Sequence, residues 1–178
     1  EAGGRLVVPV FAGQLTSSRL RELAMFADRH SAGVLQVTAD QDIAYALSAE
    51  ADADRAAREL KTLTEPCPAT GTPVTFRVCP GNHECTMGMA ATREIAAALI
   101  AEMSPAARES IWAISGCPNS CSQPQLASLG IVVSKLVALE DGSRSPRFDL
   151  YRRSDAGLGG KVREQLTLEE LSEFVKTA

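Results

Sequence analysis

Four of the five cysteines in this 178-residue chain form two tight pairs. Cys79 and Cys85 enclose five residues, and Cys117 and Cys121 enclose three. Thiolates grouped in this way favour soft metals, and an iron–sulfur cluster takes four of them. Neither gap has the two residues that structural zinc sites prefer. The sequence therefore predicts a fold in which two loops bring four thiolates to one metal centre.

Three other uses of these cysteines remain open at this point: a structural zinc site, two local disulfides, and four unliganded buried thiols. An odd number of cysteines in a chain of this length argues against a disulfide framework. It favours a reducing compartment, which predicts a cytoplasmic protein. Cys67 belongs to neither pair and is predicted to be a bystander.

The composition is that of an ordinary soluble globular protein, with 45% hydrophobic and 22% charged residues. A net charge of −4 provides no general attraction to nucleic acid or to anionic lipid. No apolar run approaches the roughly 20 residues of a membrane-spanning helix. We therefore expect neither a nucleic-acid partner nor a membrane. The chain begins with neither a Met nor a secretory signal, so a processed end, an excised domain or a fragment would all fit.

The first 63 residues predict a strand–helix–strand–strand–helix unit, a small α/β layer pair. Short β-branched or apolar runs indicate strands over 5–11, 34–38 and 43–47. Thr16 or Ser17 can cap a helix that ends near His30, and Asp52 can cap a second one. The proline-dense stretch over 65–73 follows and predicts a boundary between domains 1–65 and 73–178.

In the second domain, strands over 74–78 and 112–114 are predicted to deliver Cys79 and Cys117. A strong helical pattern over 87–103 separates the two cysteine pairs. The further predictions are a short helix opening at Ser104, a hairpin over 129–138 and 147–153, and a last helix with a capping box formed by Thr167 and Glu170.

The loops that carry the cysteines suit a [4Fe–4S] cluster. Such a cluster takes one thiolate per iron, and backbone N–H groups of the surrounding loops tune its potential. Gly81 and Gly116 would let the backbone approach closely, and Pro80 and Pro118 stiffen the loops.

The first cysteine pair, followed by Ile114-Ser-Gly-Cys-Pro-Asn-Ser-Cys121, resembles the siroheme and [4Fe–4S] signature of nitrite and sulfite reductases. The resemblance covers most of the chain. Residues 5–63 resemble the family's ferredoxin-like half-domain, including the stretch over 37–42. Leu158-Gly-Gly-Lys161 and the helix after it resemble the segment that follows the cluster motif. The resemblance implies an α+β fold, with a ferredoxin-like α/β half-domain followed by a [4Fe–4S]/siroheme α/β domain.

The resemblance also implies residue roles. Cys79, Cys85, Cys117 and Cys121 correspond to the four cluster ligands, and Cys121 also to the ligand that bridges to the siroheme iron. The implied reaction is the six-electron reduction of sulfite or nitrite, with electrons from a ferredoxin or a flavoprotein. The cofactors carry the redox steps, and the protein contributes binding, orientation and protons. The choice between the two anions stays open.

Siroheme carries eight carboxylates, so its pocket needs Arg, Lys and N–H donors. We expect these donors to include Lys161, which follows two glycines, together with Arg163, Arg77 and Asn119. A solvated face is the alternative for each basic residue, and a turn is the alternative for Asn119. His83 in the first loop could donate to a cluster sulfur or relay protons, or simply lie exposed.

Enzymes of this family contain two such repeats, whereas this chain contains one. It also lacks a basic residue over 38–42, where many relatives have one. We therefore expect full activity to need a sister repeat, a second subunit or self-association. Two other functions remain open: a cobalamin-pathway enzyme similar to precorrin-3B synthase, and a [4Fe–4S] electron-transfer module without haem.

Overall fold

The structure, a computed structural model, describes residues 4–64, 74–154 and 156–178. Residue contacts divide the chain into two compact units, Glu1–Cys67 and Pro68–Ala178. The predicted linker over 65–73, with Cys67, lies outside the described residues.

The first unit has the predicted order of elements. They are β1 (Arg5–Val8), α1 (Ser17–His30), β2 (Gln36–Val37), β3 (Ile43–Ala46) and α2 (Ala53–Leu63). The three strands form an antiparallel sheet in the order β1-β3-β2. β1 is shorter than predicted and ends one residue before Pro9, which has no N–H to donate to a ladder.

Hydrogen bonds that cap its two helices and a buried pair of aromatic rings stabilise this unit. The side chain of Thr16 accepts from Arg19 N at 3.2 Å at the start of α1, and Asp52 accepts from Arg55 N at 3.0 Å at the start of α2. Tyr45 is fully buried, packs edge-on against Phe26 at 4.8 Å between ring centroids, and donates its hydroxyl to the carbonyl of Leu23. The capping bonds of Thr16 and Asp52 confirm both predicted helix caps.

The second unit is built on a five-stranded mixed sheet. Its elements are β4 (Phe76–Val78), α3 (Thr92–Glu102), α4 (Pro105–Glu109), β5 (Trp112–Ser115), β6 (Leu129–Ala138), β7 (Arg144–Arg152), β8 (Gly160–Leu166) and α5 (Leu168–Thr177). The strand order is β4-β5-β6-β7-β8; β4, β5 and β6 are parallel, and the remaining pairs are antiparallel. This architecture confirms the predicted α+β class. β8 was not predicted.

The two faces of this sheet differ in chemistry. Side chains alternate along a strand, so residues paired across the sheet share a face. One face packs on α3 and α5 and is apolar. Its buried side chains are Phe76, Val78, Trp112, Ile114, Leu129, Ile131, Phe148 and Leu150. The opposite face carries one row that runs through Arg77, Ala113, Gly130, Tyr151 and Lys161. We call this opposite side the polar face.

The helical prediction over 87–103 is wrong in its first turn, because α3 begins only at Thr92. Met89 N donates to the carbonyl of Gly116 at 2.8 Å, a bond to another loop that replaces a helical one. A Cβ on Gly88 would lie 2.3 Å from the carbonyl carbon of Gly81. The segment before α3 therefore follows the cysteine loops instead of its own helical propensity. Within residues 4–64, 74–154 and 156–178, no helix has both the length and the apolar character needed to cross a bilayer.

Candidate functional site

The first cysteine loop leaves the end of β4 and turns sharply. Cys79 N donates to the carbonyl of Ile114 at 3.1 Å, so the ladder between β4 and β5 continues into this loop. Cys85 N then donates back to the carbonyl of Gly81 at 3.1 Å. Gly81 has φ +60°, and a Cβ there would lie 2.4 Å from the carbonyl oxygen of Ala90. Only glycine fits this position, because any side chain would meet backbone.

The second cysteine loop leaves the end of β5 and is closed by two buried serines. The hydroxyls of Ser115 and Ser122 share a hydrogen bond of 2.7 Å, and Ser122 N donates to Ser115 Oγ at 3.2 Å. Inside this closure, Ser120 N donates to the carbonyl of Cys117 at 3.3 Å. The two flanking serines thus hold the loop that carries Cys117 and Cys121 in one shape.

The two loops contact each other directly. Gly116 N donates to Cys79 Sγ at 3.0 Å, which is an N–H donor to a candidate ligand sulfur. A Cβ on Gly116 would lie 3.1 Å from the Cα of Gly81 and 3.4 Å from Cys79 Sγ. Because β4 and β5 are parallel neighbours, both loops leave the same end of the sheet. The two loops that carry the cysteine pairs therefore adjoin each other.

The thiols themselves are free and differ in exposure. Cys117 is buried, Cys79 and Cys85 are half-buried, and Cys121 is exposed. Among the described residues, no three His, Cys, Asp or Glu side chains lie close enough together to hold a metal ion as they stand. Four free thiols on two adjoining loops, a glycine-lined backbone and an N–H on sulfur fit a cluster of soft metal. Ligation of one centre would then need the thiols to turn within these loops.

Charged side chains cover the outside of the first loop. Arg93 donates to both carboxylate oxygens of Glu84, at 3.0 and 3.2 Å, and this contact lowers the pKa of Glu84. The exposed ring of His83 contacts Glu94 at 2.9 Å, and this bond lowers the pKa of Glu94. Glu84 and His83 belong to the first loop, and their partners Arg93 and Glu94 lie in the first turn of α3. These contacts tie the first loop to the start of α3.

Two of the predicted siroheme contacts lie on the polar face. Arg77 is 8% exposed and donates from Nη2 to the carbonyl of Gln123 at 3.1 Å. Lys161 Nζ lies 2.7 Å from Asp149 Oδ2 and 3.1 Å from Glu164 Oε1. These bonds raise the pKa of Lys161. Both residues belong to the same row of the sheet, at its two edges.

The other two predicted contacts lie elsewhere. Arg163 pairs with Leu150, after a register shift that separates it from Lys161, so it lies on the face that carries α5. There it lines a groove with Leu166 and Phe174. Asn119 is exposed in the second cysteine loop, between Cys117 and Cys121. Asn119 thus shares a loop with two candidate ligands, whereas Arg163 lies on the helix side of the sheet.

Several residues that organise the site were not anticipated from sequence. Thr92 and the Ser115–Ser122 pair carry buried hydroxyls that bind the cysteine loops. Gly88 lies against the backbone of the first loop. The one sequence signal for these residues was that serine and glycine recur beside the cysteines. That signal does not say which hydroxyl faces inward.

Comparison with known proteins places this geometry in a family. Residues 3–63 match the nitrite/sulfite reductase ferredoxin-like half domain. The ferredoxin–nitrite reductase of Synechococcus elongatus is 32% identical over 181 residues, which cover 96% of this chain and 34% of that protein. This chain belongs to the nitrite and sulfite reductase family. The predicted family is confirmed.

Further relatives agree with this membership. The chloroplastic ferredoxin–nitrite reductase of rice (Oryza sativa subsp. japonica) is 27% identical over 188 residues, which cover 96% of this chain and 29% of that protein. The chain therefore spans about a third of the length of the curated relatives it matches.

Solved structures share the fold. The Mycobacterium tuberculosis NirA protein superposes with a TM-score of 0.73 at 24% identity, covering 97% of this chain and 34% of that one. Dissimilatory sulfite reductase I superposes with a TM-score of 0.68 at 11% identity, covering 98% of this chain and 60% of that one. At these identities the likeness establishes the fold alone, and it confirms the fold class.

Proposed function

We propose that this chain is the siroheme- and [4Fe–4S]-binding part of an oxidoreductase that reduces nitrite or sulfite by six electrons. The observation that carries the proposal is the contact between the two cysteine loops, where Gly116 N donates to Cys79 Sγ. In this proposal residues 1–65 are the ferredoxin-like half-domain and residues 73–178 are the cofactor-binding domain. Membership of the family supports it, because the relatives are named as nitrite reductases.

Cys79, Cys85, Cys117 and Cys121 would hold the cluster, with Cys121 shared with the siroheme iron. When bound, the two cofactors would pass to the anion the electrons that an external donor supplies. The chain's own contribution would be to hold the thiolates on the two loops, to keep side chains away from the centre at Gly81 and Gly116, and to direct the Gly116 N–H at Cys79 Sγ.

The polar face would carry donors for the siroheme carboxylates. Arg77 and Lys161 share one row of the sheet, and Lys161 already contacts the carboxylate of Asp149. Lys161 would bind a siroheme carboxylate through the same kind of charge-assisted hydrogen bond. The placement of Arg163 on the α5 side favours Lys161 over Arg163 for this role. Asn119 would contact the macrocycle edge from the second loop.

A ferredoxin is the proposed electron donor, because the curated relatives carry that partner in their names. Since the chain spans about a third of those relatives, we propose that a sister repeat or a second copy completes the pocket for the anion.

Anaerobic reconstitution with ferrous iron and sulfide tests the ligand set. We expect about four irons and four sulfides per chain, the content of one cube. Cys117→Ser removes the buried thiol and should lower both contents by at least half. Cys67→Ser is the matched control and should leave them unchanged. Equal losses in the two variants, or no iron uptake by the unaltered chain, would contradict the proposed ligands.

A further inference from the structure

Thr92 is the first residue of α3, and its side chain is completely buried. A hydroxyl at the start of a helix ordinarily caps it by accepting a backbone N–H. At α3 the N-cap is Ala91, and no side chain caps the helix. Thr92 instead donates its hydroxyl to the carbonyl oxygen of Cys79. The hydroxyl nearest the helix end therefore serves the first cysteine loop.

The same side chain also contacts the second cysteine loop. A Cβ on Gly116, the residue before Cys117, would lie 3.2 Å from Thr92 Cγ2. A Cβ on Gly81 would lie 2.5 Å from Thr92 Oγ1. The two branches of one threonine thus occupy the space between the loops, with the hydroxyl toward one and the methyl toward the other.

We infer that Thr92 is a positioning residue that joins the two cysteine loops and sets the orientation of Cys79 for metal binding. The inference rests on the proposed function, because it concerns the same thiols. Its physical basis is the buried bond to the Cys79 carbonyl. If that bond is lost, a buried acceptor is left unsatisfied, and the backbone that carries the thiol can rotate.

Two substitutions separate the branches of this side chain. Thr92→Val keeps the shape and removes the hydroxyl, whereas Thr92→Ser keeps the hydroxyl and removes the methyl. Thr177→Val is the matched control, since the exposed hydroxyl of Thr177 also donates to a carbonyl, that of Phe174, within α5. All three are made in the full 178-residue chain.

The first measurement is the rate at which a chelator removes iron from the anaerobically reconstituted chain. Loss of a supporting contact next to a metal ligand typically costs at least about tenfold in metal affinity. We expect iron loss about tenfold faster in Thr92→Val, and within about twofold of the unaltered chain in Thr92→Ser and Thr177→Val. The electron paramagnetic resonance spectrum of the reduced cluster should change in Thr92→Val alone.

The second measurement needs no metal. Amide hydrogen exchange of Met89 and Gly116, whose N–H groups bind the opposite loop, should be several-fold faster in Thr92→Val than in Thr92→Ser. If the unaltered chain takes up no iron, the proposed function fails, and this exchange difference still decides the role of Thr92. Equal exchange in the two variants overturns the inference. Equal iron loss in the two variants also overturns it. If Thr92→Val does not fold, iron loss from Thr92→Ser more than tenfold above that of the unaltered chain overturns it.

Discussion

Asp149 organises the outer edge of the polar face. It is 7% exposed, contacts Lys161 Nζ at 2.7 Å and accepts from Gln165 N at 3.0 Å. The second bond holds Gln165 at φ +54°, a left-handed conformation that a glutamine rarely adopts without such a partner. Burial alone would raise the pKa of Asp149, but the hydrogen bonds from Lys161 and Gln165 outweigh it, so the pKa is lowered.

This lowered pKa predicts a pH-dependent contribution to stability. A carboxyl with a depressed folded-state pKa stabilises the fold above its ordinary value of about 3.9, and the contribution disappears as the pH falls through the folded pKa. We expect Asp149→Asn to lower the free energy of unfolding at pH 7. The difference in unfolding free energy between this variant and the unaltered chain should shrink steadily below about pH 4. Urea unfolding, followed by circular dichroism at pH 7 and below about pH 4, measures this difference.

Asp141→Asn is the control for this prediction. Asp141 accepts from Ser143 in an exposed turn, so solvent screens its interactions. Its loss should change the unfolding free energy much less at pH 7. A pH-independent difference for Asp149→Asn would mean that packing, and not its charge, explains the effect.

At the scale of elements, glycine decides where strands and turns can approach each other. Gly130 is the second residue of β6, and a Cβ there would lie 2.1 Å from the carbonyl oxygen of Pro124. The turn that follows the second cysteine loop therefore rests on β6 without a side chain between them. Arg77 donates to the carbonyl of Gln123 in the same turn. This bond also holds the turn against the polar face.

The close approach of Pro124 to Gly130 makes Gly130→Ala a test of how the turn packs on β6. Backbone cannot yield as a flexible side chain can, and overpacking in a tight interior costs about 1–3 kcal/mol or more. We expect Gly130→Ala to destabilise the chain by about 3 kcal/mol. Gly160→Ala, also in a strand, has nothing within 4 Å of its Cβ and should stay within about 0.5 kcal/mol. Denaturant unfolding measures both, and equal values would contradict the close approach.

Helix starts with a capping side chain were the most predictable boundaries, because capping signals are local. Thr167 and Glu170 form the predicted capping box at the start of α5, with both hydrogen bonds present. β8 was missed because residues 160–166 are mostly exposed and carry no clean alternation of apolar residues. It is a strand because β7 provides a partner. The start of α3 was misplaced because bonds to the other cysteine loop override the propensity of residues 87–91.

At the scale of the whole molecule, the chain combines one half-domain with one sheet-based unit and spans about a third of its relatives. The polar face of that sheet carries a lysine and an arginine in one row, which suits a ligand rich in carboxylates. A pocket for a large tetrapyrrole ordinarily needs walls on more than one side, because such ligands bury most of their surface. A second repeat or copy would provide these further walls.

The proposal predicts how cofactor binding depends on assembly. We expect the chain to take up iron and sulfide as a monomer, but to retain siroheme only in fractions that contain a second copy or an added sister repeat. Size-exclusion chromatography with tetrapyrrole absorbance and protein concentration read in each fraction measures this. Stoichiometric siroheme in the monomer fraction would show that one repeat is sufficient.

The family, the order of elements in the first unit, the capped helix starts and the two cysteine pairs could be predicted from the residues alone. These depend on short-range signals such as spacing, capping residues and motifs. Three features emerged only from the folded chain: Arg163 and Lys161 lie on opposite faces, the loops meet at Gly116 and Cys79, and Thr92 lies between them. Each of these depends on strand register and on contacts between residues far apart in the chain. No local pattern of residues encodes them.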